Sequence, residues 1–440
     1  MKIIKKLKNN FKKDYLLDKK LQYNLGLRLF QVGVFLLAAA PVFAFILLLS
    51  SSVLGSFNIE KNYFDDKLNQ LLTVVSLLMI INCIFISLNR DLYSNDTSNI
   101  WIGLSNWVPF FWCFWGFQPY LINNKLRIQI SKFFLLGSLP VIFSGFAQYF
   151  FKIYGPFNLF NNLIIWYQRP LGEDHGVTGL FNNQNYAGAW LCILLPLCIS
   201  FLIKGKRIKK ILLFLLGLSF IYMIFLTTSR IAIFSIFFSA FLFSKSFKRK
   251  LFILFSFLSV PLFLNIIPIL SLRLQSIVYD YLPYELVKKT SLVNNPNLNL
   301  FPRWEVWVKS IEFIKSNPLS GYGAGSFKSL YDLSNGEFGD IQHSHNIFLE
   351  IAINHGVLPS LLIVSLMIWL TFKSWPNYSK DFNLKGNNFD KAWIISFMVF
   401  LLIHMFDITY FDGRISTVAW ILLSGMRCIS LENKETKRIS

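Results

Sequence analysis

The chain has 440 residues, of which 54% are hydrophobic and 17% aromatic, with a mean hydropathy of +0.49. So apolar a composition excludes a soluble domain and requires a polytopic membrane protein. The formal charge of +20 does not indicate nucleic acid, because lysines and arginines sit in short clusters between apolar runs, as the positive-inside rule expects.

In chain order, the first twenty residues hold eight lysines and two aspartates. They make segment 1–27 a basic cytoplasmic stretch able to lie on an anionic inner leaflet. The apolar run after Leu27 is too long for the core of a cleavable signal. Eleven apolar segments follow, at 28–54, 68–88, 100–121, 132–151, 186–203, 211–227, 230–245, 251–270, 357–373, 391–408 and 415–430. They lack the alternation of barrel strands, and backbone groups in hydrocarbon must be paired internally, so the expected fold class is an all-α polytopic bundle.

The basic loops at 204–210 and 245–250 belong on the cytoplasmic side. That places the 152–185 loop, the Thr228–Ser229–Arg230 corner, the 271–356 loop and the 407–414 turn together on the outer side. A basic N-terminus on the inside then requires an even count of about twelve spans, the extra crossing lying in the Pro41-containing first run or the broken 98–121 stretch. One membrane domain is expected over 28–430, with a short cytoplasmic tail at 431–440. Cys83, Cys113, Cys192, Cys198 and Cys428 lie in or beside apolar runs and read as core residues. Trp101, Trp107, Trp112 and Trp115 read as markers of a membrane interface.

The longest polar interruption, 301–356, contains most of the candidate chemistry. Trp304, Trp307, Val308, Ile311 and Ile314 recur with helical spacing, Pro302 suits a first turn, and Asn317–Pro318 ends the element. Arg303 therefore stands at a helix start, where it is either a solvated residue or, through its planar fork and the neighbouring backbone donors, a ligand for phosphate. Gly321, Gly323 and Gly325 form a turn rather than a nucleotide fingerprint, since no Gly-x-Gly-x-x-Gly spacing is present. His343 and His345 precede a second helix in which Asn346, Glu350 and Asn354 form a polar stripe and Gly356 marks the end. His345 can serve as a general base near neutrality. A competing reading joins Asp340, His343 and His345 in a metal site, with no third histidine to support it. Arg230, between two apolar segments, either snorkels to the headgroups or binds an anion. Arg169 and the 182–185 asparagine cluster, including Asn183 and Asn185, suit sugar hydroxyls or simple turns. Asp407 and Arg414 cap the last outer turn as secondary candidates.

These features resemble the O-antigen ligase and polymerase family of membrane glycosyltransferases, roughly over 165–430. The matching pieces are Arg303–Trp304, Pro318–Leu319–Ser320–Gly321–Tyr322–Gly323, His345–Asn346, the 178–185 stretch and Thr227–Thr228–Ser229–Arg230. The resemblance implies an outer-face site for a polyprenyl diphosphate-linked glycan in a bacterial inner membrane. Arg230 and Arg303 would hold the diphosphate, and His345 would activate an acceptor hydroxyl. His343, Asn346, Arg169, Asn183, Asn185, Gly321 and Gly323 would contact substrate. Neither a cofactor nor a metal is implied, and the acceptor would be lipid A-core, another lipid-linked glycan or a protein. An inorganic-carbon (bicarbonate) transporter, which needs charged residues within the spans, and a non-catalytic partner of glycan export are the other readings.

Overall fold

The computed structural model describes all residues except 1, 60–61, 90–96, 173–175, 205–206, 271–301, 335, 337–340, 376–387 and 440. The described residues form α1 (Lys2–Leu36), α2 (Pro41–Ser56), α3 (Lys67–Leu88), α4 (Thr97–Ser105), α5 (Val108–Gly116), α6 (Asn124–Gly137), α7 (Leu139–Phe150), α8 (Gln184–Lys204), α9 (Arg207–Leu226), α10 (Arg230–Phe243) and α11 (Phe247–Leu270). After 271–301 come α12 (Pro302–Ser316), α13 (Ser326–Leu333), α14 (Ile347–His355), α15 (Val357–Ser374), α16 (Asn388–His404) and α17 (Gly413–Ile439). Among the described residues, five helical stretches are long and apolar enough to cross a membrane: α3, α6 with α7, α8, α15 and α17. The protein is thus an all-helical polytopic membrane protein, apart from a small hairpin of β1 (Phe157–Leu159) and β2 (Ile164–Trp166) in the 152–185 loop.

The first apolar run is not one helix. Pro41 has no N–H and holds Ala40 outside the helical region, so the chain turns and restarts. A Cβ on Gly33 would lie 2.7 Å from Leu48 Cγ, and one on Gly26 would lie 3.2 Å from Leu54 Cβ, so α1 and α2 run antiparallel in close contact. The 100–121 run is also divided, between α4 and α5, with Pro109 in the first turn of the second.

The interior is built largely on α8, α16 and α17, whose Trp190, Trp393 and Trp420 are almost wholly buried. Each indole N–H has a partner: Ser138 Oγ at 3.0 Å, Leu422 O at 2.8 Å and Tyr410 Oη at 2.9 Å. Trp101 and Trp112 are exposed, as an interfacial position requires, whereas Trp107 and Trp115 are buried in the protein. Trp107 stacks on Tyr410 with ring centroids 4.2 Å apart, a partner about three hundred residues away that local sequence cannot reveal. All five cysteines are free and buried, as read. At the N-terminal end of α6, buried Arg127 donates to Asp390 Oδ1 at 2.8 Å, to Glu432 Oε2 at 2.5 Å and to Leu121 O at 2.9 Å, tying α6, α16 and α17 together.

Helices α12, α13 and α14 form a smaller layer around Val306, Phe327, Tyr331 and Ile353. The helical reading of α12 and its two ends is correct, and its apolar positions divide between two faces, with Trp307 and Ile314 partly buried. Val306 and Ser310 are buried, while Trp304, Val308 and Ile311 point away from the protein interior.

Candidate functional site

Two segments distant in sequence, at Arg303 and at His343–His345, meet at Asp407, which lies in the turn after α16. His345 Nδ1 is 3.3 Å from Asp407 Oδ1, and His343 Nε2 is 4.0 Å from the same oxygen. The two imidazoles meet edge to face, with centroids 4.4 Å apart. Arg303 joins them through its helix: Trp307, one turn on, packs 6.1 Å from Phe406, the neighbour of Asp407. Arg230, the first residue of α10, lies near enough for its charge to oppose that of Arg303.

Local sequence explains why His345 is held where it is. Asn346 is the N-cap of α14, its Oδ1 accepting from Phe348 N at 3.0 Å and Leu349 N at 3.3 Å, and its Nδ2 donates to Met405 O at 3.2 Å. Asn346 was expected to contact substrate. Its side chain is instead buried and occupied in fixing the helix start beside the 405–407 turn. His345 itself has φ of +54°, an unusual backbone for a residue with a Cβ. The stripe of α14 lies inward: Glu350 accepts from Ser344 N at 2.9 Å and from Asn354 Nδ2 at 3.3 Å. Burial pushes the Glu350 carboxyl above its usual range.

Electrostatics at the site are dominated by Asp407. Burial pushes its carboxyl up, but the His345 hydrogen bond and the positive potential of His343, His345 and Arg303 prevail and hold it down at about 2. It is therefore ionised and can only accept, so His345 Nδ1 is the donor, and in the neutral imidazole Nε2 keeps a free lone pair. His343 Nδ1 accepts from His345 N at 3.3 Å. Burial and the neighbouring His345 push His343 down to about 4, against the pull of Asp407. Burial lowers the Arg303 guanidinium too, with Asp407 supporting its charge and Arg230 opposing it. Among the described residues, neither Arg230 nor Arg303 forms an ion pair or side-chain hydrogen bond.

Other expected residues have different surroundings. Gly321 and Gly323 adopt φ of +67° and +89° and close over the C-terminal end of α14. Tyr322 N donates to Ile353 O at 2.7 Å and Gly323 N to Asn354 O at 3.1 Å, satisfying carbonyls that a helix end leaves open. That is about 12 Å along the helix from His345, so both glycines secure α14 rather than joining the histidines. Asn183 is a helix cap for α8, its Oδ1 accepting from Asn185 N at 2.7 Å. Arg169 has an exposed side chain, and its backbone is held by Thr178 Oγ1 and Gln148 Nε2. Arg414 is clamped by Asp412 and stacks on Phe181 at 3.8 Å, a structural pair. That pair lines a cleft of about 360 Å³ with Tyr167, Asn182, Tyr186 and Phe411. Burial, reinforced by the charges of Asp412 and Asp407, pushes the Tyr186 hydroxyl up to about 12.

Sequence reading underrated Asp407, whose partner His345 lies 62 positions away. Their shared outer-side placement was the available signal. Asp340, the third member of the expected metal alternative, lies outside the described residues. Asp407 takes the place beside the two histidines: ligand atoms of His343, His345 and Asp407 all lie within 4.8 Å of one another.

Comparison with known families matches residues 212–364 to the O-antigen ligase family. The matched stretch includes Arg230, Arg303 and both histidines, and it bears out the resemblance to that family. A comparison with curated proteins returns no match.

Proposed function

We propose that this chain, which matches the O-antigen ligase family over residues 212–364, is an inner-membrane glycosyltransferase that moves glycan from a polyprenyl diphosphate to an acceptor hydroxyl on the outer face. The observation that carries this reading is the group around Asp407: an oriented imidazole with a free Nε2 lone pair, next to two arginines without anionic partners among the described residues. Arg230 and Arg303 bind the diphosphate and stabilise the charge that builds on it as it departs. His345 Nε2 takes the acceptor O–H proton, the oxygen attacks the anomeric carbon, and the bond to the diphosphate oxygen breaks with its electron pair. Direct displacement inverts that carbon. Asp407 stabilises the imidazolium that forms, as the carboxylate does in a Ser-His-Asp triad. With two guanidinium groups meeting the leaving group, no metal is needed for the step.

The termini lie in the cytoplasm, and lipid A-core, a second lipid-linked glycan or a protein hydroxyl is the acceptor. The buried Arg127 does not favour a bicarbonate path, since it pairs with both Asp390 and Glu432. The test is purified protein with lipid-linked donor and acceptor in excess EDTA. Transfer persists in the wild type, falls by about 100- to 10,000-fold in His345→Ala with donor binding retained, and loses donor affinity in Arg303→Ala. Near-normal transfer by both folded variants removes the assignment.

A further inference from the structure

We infer that His343, His345 and Asp407 form an exchangeable binding site for a transition-metal ion such as Zn²⁺, and that occupancy switches transfer off. The inhibitory half rests on His345 being the base; the binding half does not.

The donor set is two imidazoles and one carboxylate, which suits zinc among the common divalent ions. Tetrahedral zinc with bonds near 2.0–2.2 Å places its ligand atoms about 3.4 Å apart. His345 Nδ1 and Asp407 Oδ1 already meet that separation at 3.3 Å. His343 Nε2 is 4.0 Å from the same oxygen, so a modest side-chain rotation that frees Nδ1 from His345 N and moves the ring proton onto it completes a three-residue face. The histidine side chains are 21% and 24% exposed, which leaves an entry path and an open fourth position. The charges of Arg303 and Arg230 nearby weaken the hold on a dication, and the ion is consequently exchangeable rather than structural.

Inhibition follows from which nitrogen is taken. A metal on His345 Nδ1 displaces the hydrogen bond to Asp407 and leaves the ring proton on Nε2. The face that must accept the acceptor proton then carries one already. Asp407 is at the same time converted from partner of the imidazolium to metal ligand.

The experiment uses full-length purified protein, stripped with EDTA and exchanged into chelator-free detergent buffer, titrated with ZnCl₂ by calorimetry. One ion per chain is expected, with an X-ray absorption spectrum showing nitrogen and oxygen neighbours. His343→Ala and Asp407→Asn, each checked as monodisperse, weaken binding by about 10-fold or more. In the transfer assay, wild-type rate falls over the concentration range in which zinc binds and returns with EDTA, while His343→Ala, compared with its own zinc-free rate, loses that sensitivity. Equal affinity in all three proteins, or sulfur neighbours from the cysteines, overturns the site. Zinc bound at these residues with transfer unchanged or stimulated overturns the switch. Failure of the base reading has a separate signature: His345→Ala transfers normally without zinc, whatever the titration gives.

Discussion

Replacing Asp407 by Asn tests the chemistry of the site with the least change in shape. The substitution keeps an oxygen for Ile408 N, which Asp407 Oδ1 accepts at 2.9 Å, but removes the charge facing His345 Nδ1 at 3.3 Å. A hydrogen bond to a charged group contributes about 1.5–3 kcal/mol, and this one strengthens only as His345 gains a proton during reaction. At about 1.4 kcal/mol per factor of ten, turnover falls roughly 10- to 150-fold with donor KM little changed. An amide can also present N–H to Nδ1 and force the proton onto Nε2, an effect that reaches about 10⁴ in a serine protease. The 3.3 Å contact and the partial exposure of His345 favour the smaller figure. The assay is kcat and donor KM of purified protein with lipid-linked glycan at saturating acceptor. A kcat within about twofold of wild type would refute the dyad. Because the carboxyl is held at about 2, below its ordinary 3.8, the stability it contributes is present above the ordinary value and lost only as pH falls through that window. Loss of activity between pH 5 and 7 therefore does not arise from Asp407.

Arg303→Lys keeps the charge and loses the planar fork, so transfer drops by about tenfold or more with normal membrane insertion, measured as kcat/KM for donor; an unchanged value removes bidentate diphosphate binding. Gly321→Ala places a Cβ 2.5 Å from Ile353 O at a φ of +67°, and thermal melting in detergent should show about 2 kcal/mol or more of destabilisation, whereas an unaltered midpoint would mean the turn relaxes freely. Arg127→Met leaves Asp390 buried without its cation and costs about 3–5 kcal/mol by the same measurement. In a version with the five cysteines replaced, a cysteine at exposed Lys315 reacts with an impermeant thiol reagent in spheroplasts and one at exposed Lys248 does not; the reverse pattern puts the site on the cytoplasmic side.

Features written in one stretch of chain were legible in the sequence. Pro302 and Asn317–Pro318 bound α12 as expected, and Gly356 ends α14 with φ of +90°. Pro41 marked the place where the first run divides. What escaped depends on partners supplied by the fold. The apolar positions of α12 were visible, but in a membrane protein an apolar face does not have to be the inner one, and Trp304 is 66% exposed while Ser310 is buried. His345 was identifiable from its motif; its charge partner was not, because Asp407 arrives from another turn. Asn346 and Asn183 are polar residues of the kind that contact sugars, and only their hydrogen bonds reveal them as helix caps.

Helix α14 is only nine residues long, and both of its ends are held by other segments: the Asn346 cap with Met405 at one, the glycine turn at the other. It acts as a lever with two fulcrums. A lesion at Gly321 or Gly323 releases one end and lets the other tilt, moving His345 relative to Asp407 without touching either. In an alanine scan scored by activity alone, such positions become indistinguishable from the residues that perform the chemistry. Rates recorded beside melting temperatures separate the two groups: the turn shifts both, and the histidine shifts only the first.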